Sequence, residues 1–142
     1  MKPHKELFYA YLTMYRPYIN RLNEELSPFN LSSPYWFIMV RIVNEGPQTI
    51  SDISIRQNVE KPTITKMCQR LGELGLIEAK SGEDKRTKFI QLTDKGSEIF
   101  DQVQQKLDVF QRGLAEDLSE DEQLLVARAL EKIRRKIENR NL

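Results

Sequence analysis

Residues 61–92 read KPTITKMCQRLGELGLIEAKSGEDKRTKFIQL. Apolar residues recur at helical spacing from Ile64 to Leu71, and Gly75 follows as a natural helix C-terminus. Two short runs of β-forming residues come next, on either side of the polar loop GEDKRT at 82–87. The stretch therefore predicts a helix followed by a β-hairpin with a basic tip.

A shorter helix is predicted just before this stretch. Thr49 and Asp52 have the three-residue separation of a capping box, and Asn58 suits a left-handed turn before the helix that starts at Lys61. Residues 48–50 could pair with the later hairpin. The order helix, turn, helix, hairpin is that of a winged helix-turn-helix, whose second helix enters the major groove of DNA.

Longer helices are predicted on both sides of this unit. Residues 5–26 form an amphipathic pattern that Pro17 should kink or split, and Ser33 should cap the next helix. The fifth helix carries apolar residues at heptad spacing from Phe100 onward, and Ser119 opens the sixth with a capping box. The buried face of the second helix should consist of Trp36, Phe37, Val40 and Val43.

These elements predict a mainly α fold with a small β-hairpin wing: a winged helix-turn-helix domain plus N- and C-terminal dimerisation helices. We interpret 1–142 as a single regulator chain, with 32–93 as its DNA-binding lobe. Residues 1–31 and 94–142 would form the helical dimerisation region. The apolar stripes of the first, fifth and sixth helices exceed what a small lobe needs for its own core, so two symmetric copies would cover them.

The charge distribution agrees with a nucleic-acid partner, although the net charge of +1 does not. Residues 61–88 hold seven basic and four acidic side chains, whereas the rest of the chain holds fifteen and seventeen. No apolar run is long enough to span a membrane, and the N-terminus lacks a signal-peptide core. A single cysteine, Cys68, fits a reducing compartment, so we expect a cytoplasmic protein without a membrane partner.

The predicted DNA-facing residues lie on the fourth helix and on the hairpin. Threonines can bond base edges, and the longer polar side chains can reach bases or phosphates. Arg86 at the hairpin tip could enter the minor groove, braced by Asp84 through a charge-assisted bond. The complete predicted DNA-binding set is Ser51, Pro62, Thr63, Thr65, Lys66, Gln69, Arg70, Asp84, Lys85, Arg86 and Lys88.

Nearly the whole chain resembles the MarR family of bacterial transcriptional regulators. The most specific motifs are Ser51-Asp52-Ile53 through Val59, Thr63-Ile64-Thr65-Lys66, Arg70-Leu71, Gly75-Leu76-Ile77, Asp84-Lys85-Arg86 and Leu92-Thr93 with Gly96. The resemblance implies a homodimer joined by the first, fifth and sixth helices. It also implies a pseudo-palindromic double-stranded operator, usually bound by a repressor that a small molecule or oxidant releases. Pro62 and Ser54 depart from the small hydroxyl residue and the alanine that are usual in the family.

The family's effector cleft suggests a further site. Tyr11, Tyr15, Tyr18 and Trp36 could line a pocket for a small aromatic or phenolic effector, or these rings could simply pack in the core or a dimer interface. Cys68 lies on the inner face of the fourth helix, where a cysteine usually serves as a small hydrophobe. The only histidine is His4, so no metal site and no cofactor are predicted.

Two other classes of function can be compared with this interpretation. An enzyme is not predicted, because the chain has no Gly-rich phosphate loop and no catalytic nucleophile–base spacing, and its acidic cluster lies at a helix start. The second alternative is a winged-helix protein–protein interaction module without specific DNA binding. Such a module would not require Thr63, Thr65, Lys66 and Arg86 together at DNA-facing positions.

Overall fold

The computed structural model describes residues 1–139 and contains the predicted order of elements. The helices are α1 (Pro3–Leu26), α2 (Ser33–Glu45), α3 (Ile50–Gln57), α4 (Lys61–Glu73), α5 (Asp94–Leu114) and α6 (Glu120–Asn139). A short 3-10 turn, Ser27–Phe29, follows α1, and the strands are β1 (Ile77–Ser81) and β2 (Lys88–Leu92). The fold is thus mainly α with one two-stranded antiparallel hairpin, as predicted. The last three residues of the predicted region 94–142 lie outside the described part.

Pro17 was predicted to kink or split the first helix, and the helix continues through it without a break, so it is not split there. Proline removes only one backbone hydrogen bond. The turns that follow it are anchored because Ile19, Leu22 and Leu26 are buried. Burial of these side chains compensates for the bond that is lost at the proline.

The start and the buried face of α2 differ from the prediction. Ser33 is the first helical residue rather than the cap, and its backbone N–H donates to Oδ1 of Asn23 on α1 at 2.7 Å. The buried face consists of Trp36, Ile38, Met39 and Ile42, while Phe37 and Val43 are exposed. Since apolar residues surround most of this helix, their spacing alone does not define which side faces the core.

The hairpin and the segment before α3 pair as the sequence suggested. Strand β1 pairs with β2 in the register Ile77 to Leu92, and Gln48 forms an isolated bridge to Ile90. The Gln48 N–H donates to the Ile90 carbonyl at 3.1 Å, and the Ile90 N–H donates in return at 2.6 Å. The bridge attaches the start of the helix-turn-helix to the base of the wing.

The chain divides into two compact units, residues 1–106 and the residues from 107 onward. The core of the first unit is built from aliphatic side chains of α1 to α5. Its largest fully buried members are Leu22, Leu26, Ile38, Met39, Ile53, Ile64, Leu71 and Val103.

The second unit contains the end of α5 and α6. The predicted capping box is present before α6, where Glu122 N–H donates to Ser119 Oγ at 3.1 Å and Ser119 N–H donates to the Glu122 carboxylate at 3.0 Å. No residue of α6 is buried, and Val126, Leu130 and Ile137 are exposed. None of the helices in residues 1–139 is long and apolar enough to cross a membrane.

Candidate nucleic-acid interface

Helix α4 has one apolar and one polar face. Ile64, Cys68 and Leu71 are buried against the rest of the first unit. The six residues predicted to face DNA from this helix are all exposed: Pro62, Thr63, Thr65, Lys66, Gln69 and Arg70. Arg70 Nη1 lies 3.7 Å from a Glu73 carboxylate oxygen, but both side chains are more than half exposed and the pair is weak. The polar face is therefore available to a ligand.

The N-terminus of α4 can also accept an anion. Glu60 occupies the cap position without a side-chain hydrogen bond to the helix. The first backbone N–H groups of a helix have no intrahelical partner, and the helix dipole favours a negative charge near them. These free N–H groups favour a DNA phosphate, and Lys66 on the following turn is exposed.

The helix before the turn is capped as predicted. Asp52 N–H donates to Thr49 Oγ1 at 3.0 Å, and Thr49 N–H donates to the Asp52 carboxylate at 3.1 Å. Ser51 lies in this first turn and is half-buried. Asn58 has φ 55° and ends the helix in the left-handed conformation that its side chain tolerates. These features give the helix-turn-helix its expected local geometry.

Asp84 braces the wing mainly through the backbone. Its Oδ1 accepts the Arg86 N–H at 3.0 Å, and its carbonyl accepts the Thr87 N–H at 2.9 Å. The Arg86 guanidinium Nε is 3.8 Å from the same carboxylate, and the side chain is 95% exposed. Asp84 therefore holds the Arg86 backbone, but at 3.8 Å it forms no charge-assisted hydrogen bond with the guanidinium, which differs from the sequence prediction. The guanidinium itself projects from a fixed turn into solvent.

The two wing lysines differ in their surroundings. Lys88 Nζ donates to Ser81 Oγ at 2.8 Å across the hairpin. Lys85 is exposed at the tip of the loop. Together with Arg86 they place three cations on one hairpin, which is a suitable surface for a polyanion.

Residues after α4 fix its C-terminal end: Gly75 ends the helix as predicted, whereas the side-chain contacts that hold this end did not follow from the sequence patterns. Gly75 has φ 78°. The Thr93 hydroxyl donates to its carbonyl at 2.5 Å, and Lys95 Nζ donates to the Leu74 carbonyl at 2.8 Å. Gly96 packs so closely that a Cβ there would lie 2.0 Å from the Leu76 carbonyl oxygen. These contacts join the end of α4 to the start of α5.

The four predicted effector residues have different surroundings in the structure. The rings of Tyr11 and Tyr15 are 6.0 Å apart on the exposed side of α1, and Tyr18 is half-buried. Trp36 is buried and stacks on Phe100 with 4.8 Å between ring centroids, which favours the packing interpretation for this residue.

A separate surface groove of about 340 Å³ lies elsewhere in the first unit. None of the four predicted effector residues lines it. Its walls come from the 3-10 turn, the end of α4 and the start of α5: Pro28, Phe29, Asn30, Leu74, Leu76, Lys95, Ile99 and Gln102. A site assembled from three separate segments has no local sequence pattern that could predict it.

Cys68 occupies a packing position. It is buried, and burial raises the pKa of its thiol to about 11, which keeps the thiol protonated at neutral pH. His4 is exposed near the N-terminus. Among the described residues there is no group of three or more His, Cys, Asp or Glu side chains that could hold a metal ion.

Comparisons with known proteins agree on the fold and on the family. The winged helix DNA-binding domain family matches residues 31–96. The HTH-type transcriptional regulator YwoH of Bacillus subtilis is 33% identical over 102 residues, which are 72% of this chain and 74% of the relative. The Staphylococcus aureus regulator SAV2265 is 38% identical over 100 residues, which are 70% of this chain and 68% of that protein.

A solved structure of Staphylococcus aureus MarR, in complex with salicylate and kanamycin, superimposes with a TM-score of 0.84. The two chains are 31% identical, and the match covers 94% of this chain and 91% of that one. The chain belongs to the MarR family of winged helix-turn-helix transcriptional regulators. As a member of this family it is a DNA-binding transcriptional regulator.

Proposed function

We propose that this protein is a homodimeric repressor that binds a pseudo-palindromic DNA operator and is released by a small-molecule effector. The observation that supports DNA reading most directly is the fully exposed polar face of α4 beside an exposed basic wing. We assign base reading to Thr63, Thr65 and the longer side chains of α4. The phosphate backbone of the DNA would be contacted by Ser51, Lys85 and Lys88, and Arg86 would enter the minor groove.

The proposed dimer rests on apolar surface that the monomer leaves uncovered. On α1, Phe8, Tyr11 and Leu12 are at least half exposed, and on α6 Leu125 and Val126 are as well. Monomeric proteins rarely leave apolar surface of this extent in contact with water. A two-fold dimer would cover it and would present two copies of α4 about one DNA turn apart. In this arrangement 32–93 is the DNA-binding lobe, and 1–31 and 94–142 supply the dimer contacts.

The effector is proposed from a relative and from exposed aromatic rings. Staphylococcus aureus MarR forms a complex with salicylate and kanamycin. In this chain Tyr11 and Tyr15 present adjacent rings on α1, and Tyr18 is one turn further along. A small aromatic or phenolic acid bound there would contact a helix of the proposed dimer interface. Trp36 would take part only if its stack on Phe100 opened.

The first experiment is selection of the purified protein against a random duplex library at near-physiological salt. Recovery of a two-fold symmetric motif, with half-sites about one helical turn apart, would support the proposal. Light scattering on the same sample should give twice the mass of one chain. Folded dimeric protein that recovers no motif would contradict sequence-specific regulation and favour the interaction module.

Effector binding can be followed with the intrinsic fluorescence of the chain. Trp36 is the only tryptophan, and it lies in the core of the first unit. Salicylate should change its emission and lower operator affinity over the same concentration range. A Tyr11→Leu, Tyr15→Leu double variant should lose both responses, whereas replacing Gln102 in the separate groove, as Gln102→Leu, should leave them intact. Loss of the response only in Gln102→Leu would assign the effector to that groove instead.

A further inference from the structure

Only three residues, 58–60, connect α3 to α4, so their conformation sets the direction of the recognition helix. Asn58 is in the left-handed region with φ 55°. At the start of α4, Glu60 makes no capping hydrogen bond with its side chain. The local bonds of α4 therefore do not explain what holds the turn in this conformation.

Arg41 on α2 holds the α3 side of the turn. Its Nε donates to Gln57 Oε1 at 2.5 Å, and its Nη2 donates to the Arg56 carbonyl at 2.8 Å. The carbonyl groups in the last turn of a helix have no intrahelical partner. A planar guanidinium can bond two acceptors at once and thereby fixes their relative position. Arg41 thus ties the last turn of α3 to the preceding helix.

Glu45 keeps this guanidinium in place. Its carboxylate lies 3.4 Å from Arg41 Nη1 and 3.2 Å from Arg56 Nε. Pairs as exposed as these contribute little to stability. Their effect is geometric, since one carboxylate aligns an arginine of α2 with an arginine of α3.

Ser54 holds the α4 side of the turn. Its hydroxyl donates to the Val59 carbonyl at 2.5 Å, and the Val59 N–H donates to the Ser54 carbonyl at 3.0 Å. These two bonds span the left-handed residue Asn58. The serine, at a position where alanine is usual in the family, therefore adds a side-chain bond to the turn.

We propose that Arg41 and Ser54 are positioning residues, which set the direction of α4 on DNA without contacting DNA themselves. This inference rests on the proposed function of α4. The bonds hold both ends of a three-residue turn, and the exposed threonines of α4 begin three residues after it. Base reading depends on the direction of the helix, whereas attraction to the phosphate backbone depends mainly on charge.

The test compares specific with non-specific DNA affinity. In Arg41→Met, affinity for the selected operator should fall about tenfold, as expected for loss of a charged hydrogen bond. Affinity for a random duplex should change less than about twofold, and its salt slope should stay the same. Arg41→Lys keeps the charge but lacks the planar fork, so it should resemble Arg41→Met. Ser54→Ala should show the same split between the two affinities.

Arg112→Met is the matched control. Arg112 carries the same charge and pairs with Asp108 at 2.8 Å within its own helix. Since α5 belongs to the proposed dimer region, light scattering must first show that Arg112→Met keeps the mass of two chains, and both DNA affinities should then equal those of wild type. A parallel fall in both affinities for Arg41→Met, with a salt slope shallower by about one, would mean that Arg41 contacts a phosphate. Full recovery of operator affinity in Arg41→Lys would likewise contradict the proposed role of the fork.

A second measurement needs no DNA and separates this inference from the proposed function. Amide hydrogen exchange at Asn58 and Val59 should be about tenfold faster in Arg41→Met and Ser54→Ala than in wild type. Unchanged exchange would overturn the inference, whatever the DNA results. If wild-type protein selects no operator but the exchange rates rise, the repressor proposal fails while the two side chains are still shown to hold the turn.

Discussion

At the residue scale, Arg86 joins a fixed backbone to a free charge. The turn beneath it is held by Asp84 and Thr87, while the guanidinium itself is 95% exposed. A cation on a preorganised turn loses little conformational freedom when it enters a narrow groove or meets a phosphate. The same exposure means that the folded protein gains almost nothing from this side chain.

Arg86→Ala should therefore separate DNA binding from stability. Operator affinity should fall about tenfold or more, and the salt slope should become shallower by about one. The melting temperature should stay close to that of wild type, because the side chain contacts only an exposed carboxylate. Fluorescence anisotropy with the selected operator and thermal unfolding give the two values. Arg112→Ala, with the same loss of charge, is the control, provided that light scattering shows the mass of two chains. Equal affinities for wild type and Arg86→Ala would show that the wing does not contact DNA.

Ionisation of the Cys68 thiol should lower the free energy of unfolding only in alkaline solution. Burial raises the pKa of its thiol from 9.0 to about 11, so the stabilisation from the protonated thiol is fully present below pH 9. It is lost as the pH rises toward 11. Urea unfolding of wild type and Cys68→Ala between pH 8 and pH 11 should show a steeper loss of stability in wild type. Rapid reaction of native Cys68 with a thiol reagent at pH 7 would contradict this account.

At the element scale, Gly96 explains how α5 approaches the end of α4. A Cβ at this position would lie 2.0 Å from the backbone oxygen of Leu76, which cannot move without disturbing β1. Gly113, in the same helix, has no atom within 4 Å of the corresponding position. The two glycines therefore offer a matched pair of substitutions.

Gly96→Ala should destabilise the fold by roughly 1–3 kcal/mol or more through overpacking. Gly113→Ala should instead stabilise it by up to about 1 kcal/mol, because alanine is the better helix former and meets no neighbour. Denaturant unfolding of both variants measures the difference. Similar free energies of unfolding for Gly96→Ala and wild type would show that the start of α5 is not packed against Leu76 as described.

The elements could be predicted from sequence where their signals are local. The capping boxes at Thr49 and Ser119, the left-handed Asn58 and the hairpin depend on neighbouring residues, and the structure confirms them. The pairing of Gln48 with the hairpin was also predicted, but other contacts between distant segments were missed. Asn23 bonds the start of α2 from ten residues away, and Arg41 reaches the end of α3 from a separate helix.

In the candidate site, too, local patterns were predicted more reliably than contacts between distant segments. Exposure of the polar face of α4 followed from the spacing of Ile64, Cys68 and Leu71, which places the residues between them on the opposite side. The effector residues were chosen for their chemistry, and the structure instead buries Trp36 against Phe100. To predict a shared pocket, one must know which helix faces meet. The periodicity within one helix does not give this information.

At the scale of the whole molecule, α1 has an exposed apolar face that no contact within a single chain covers. Leu12 is 70% exposed, and Phe8 and Tyr15 lie one turn away on either side. Their exposure means that the monomer core does not depend on them. The proposed dimer gives them a function, because a recognition helix that binds one half-site gains affinity when a second copy is held at the correct spacing.

Leu12→Glu should therefore dissociate the dimer without unfolding the chain. A carboxylate at this position would be buried without a partner in the proposed interface but remain solvated in the monomer. Light scattering should give the mass of one chain, and circular dichroism should remain that of a folded helical protein. Operator affinity should fall by about a hundredfold, because one molecule could no longer bind both half-sites at once. Val43→Glu is the control, since Val43 is 45% exposed on α2, outside both the proposed dimer region and the predicted DNA-binding set, and it should leave mass and affinity unchanged. A Leu12→Glu protein that keeps the mass of two chains would exclude this part of α1 from the interface and leave the exposed face of α6 to supply the contacts.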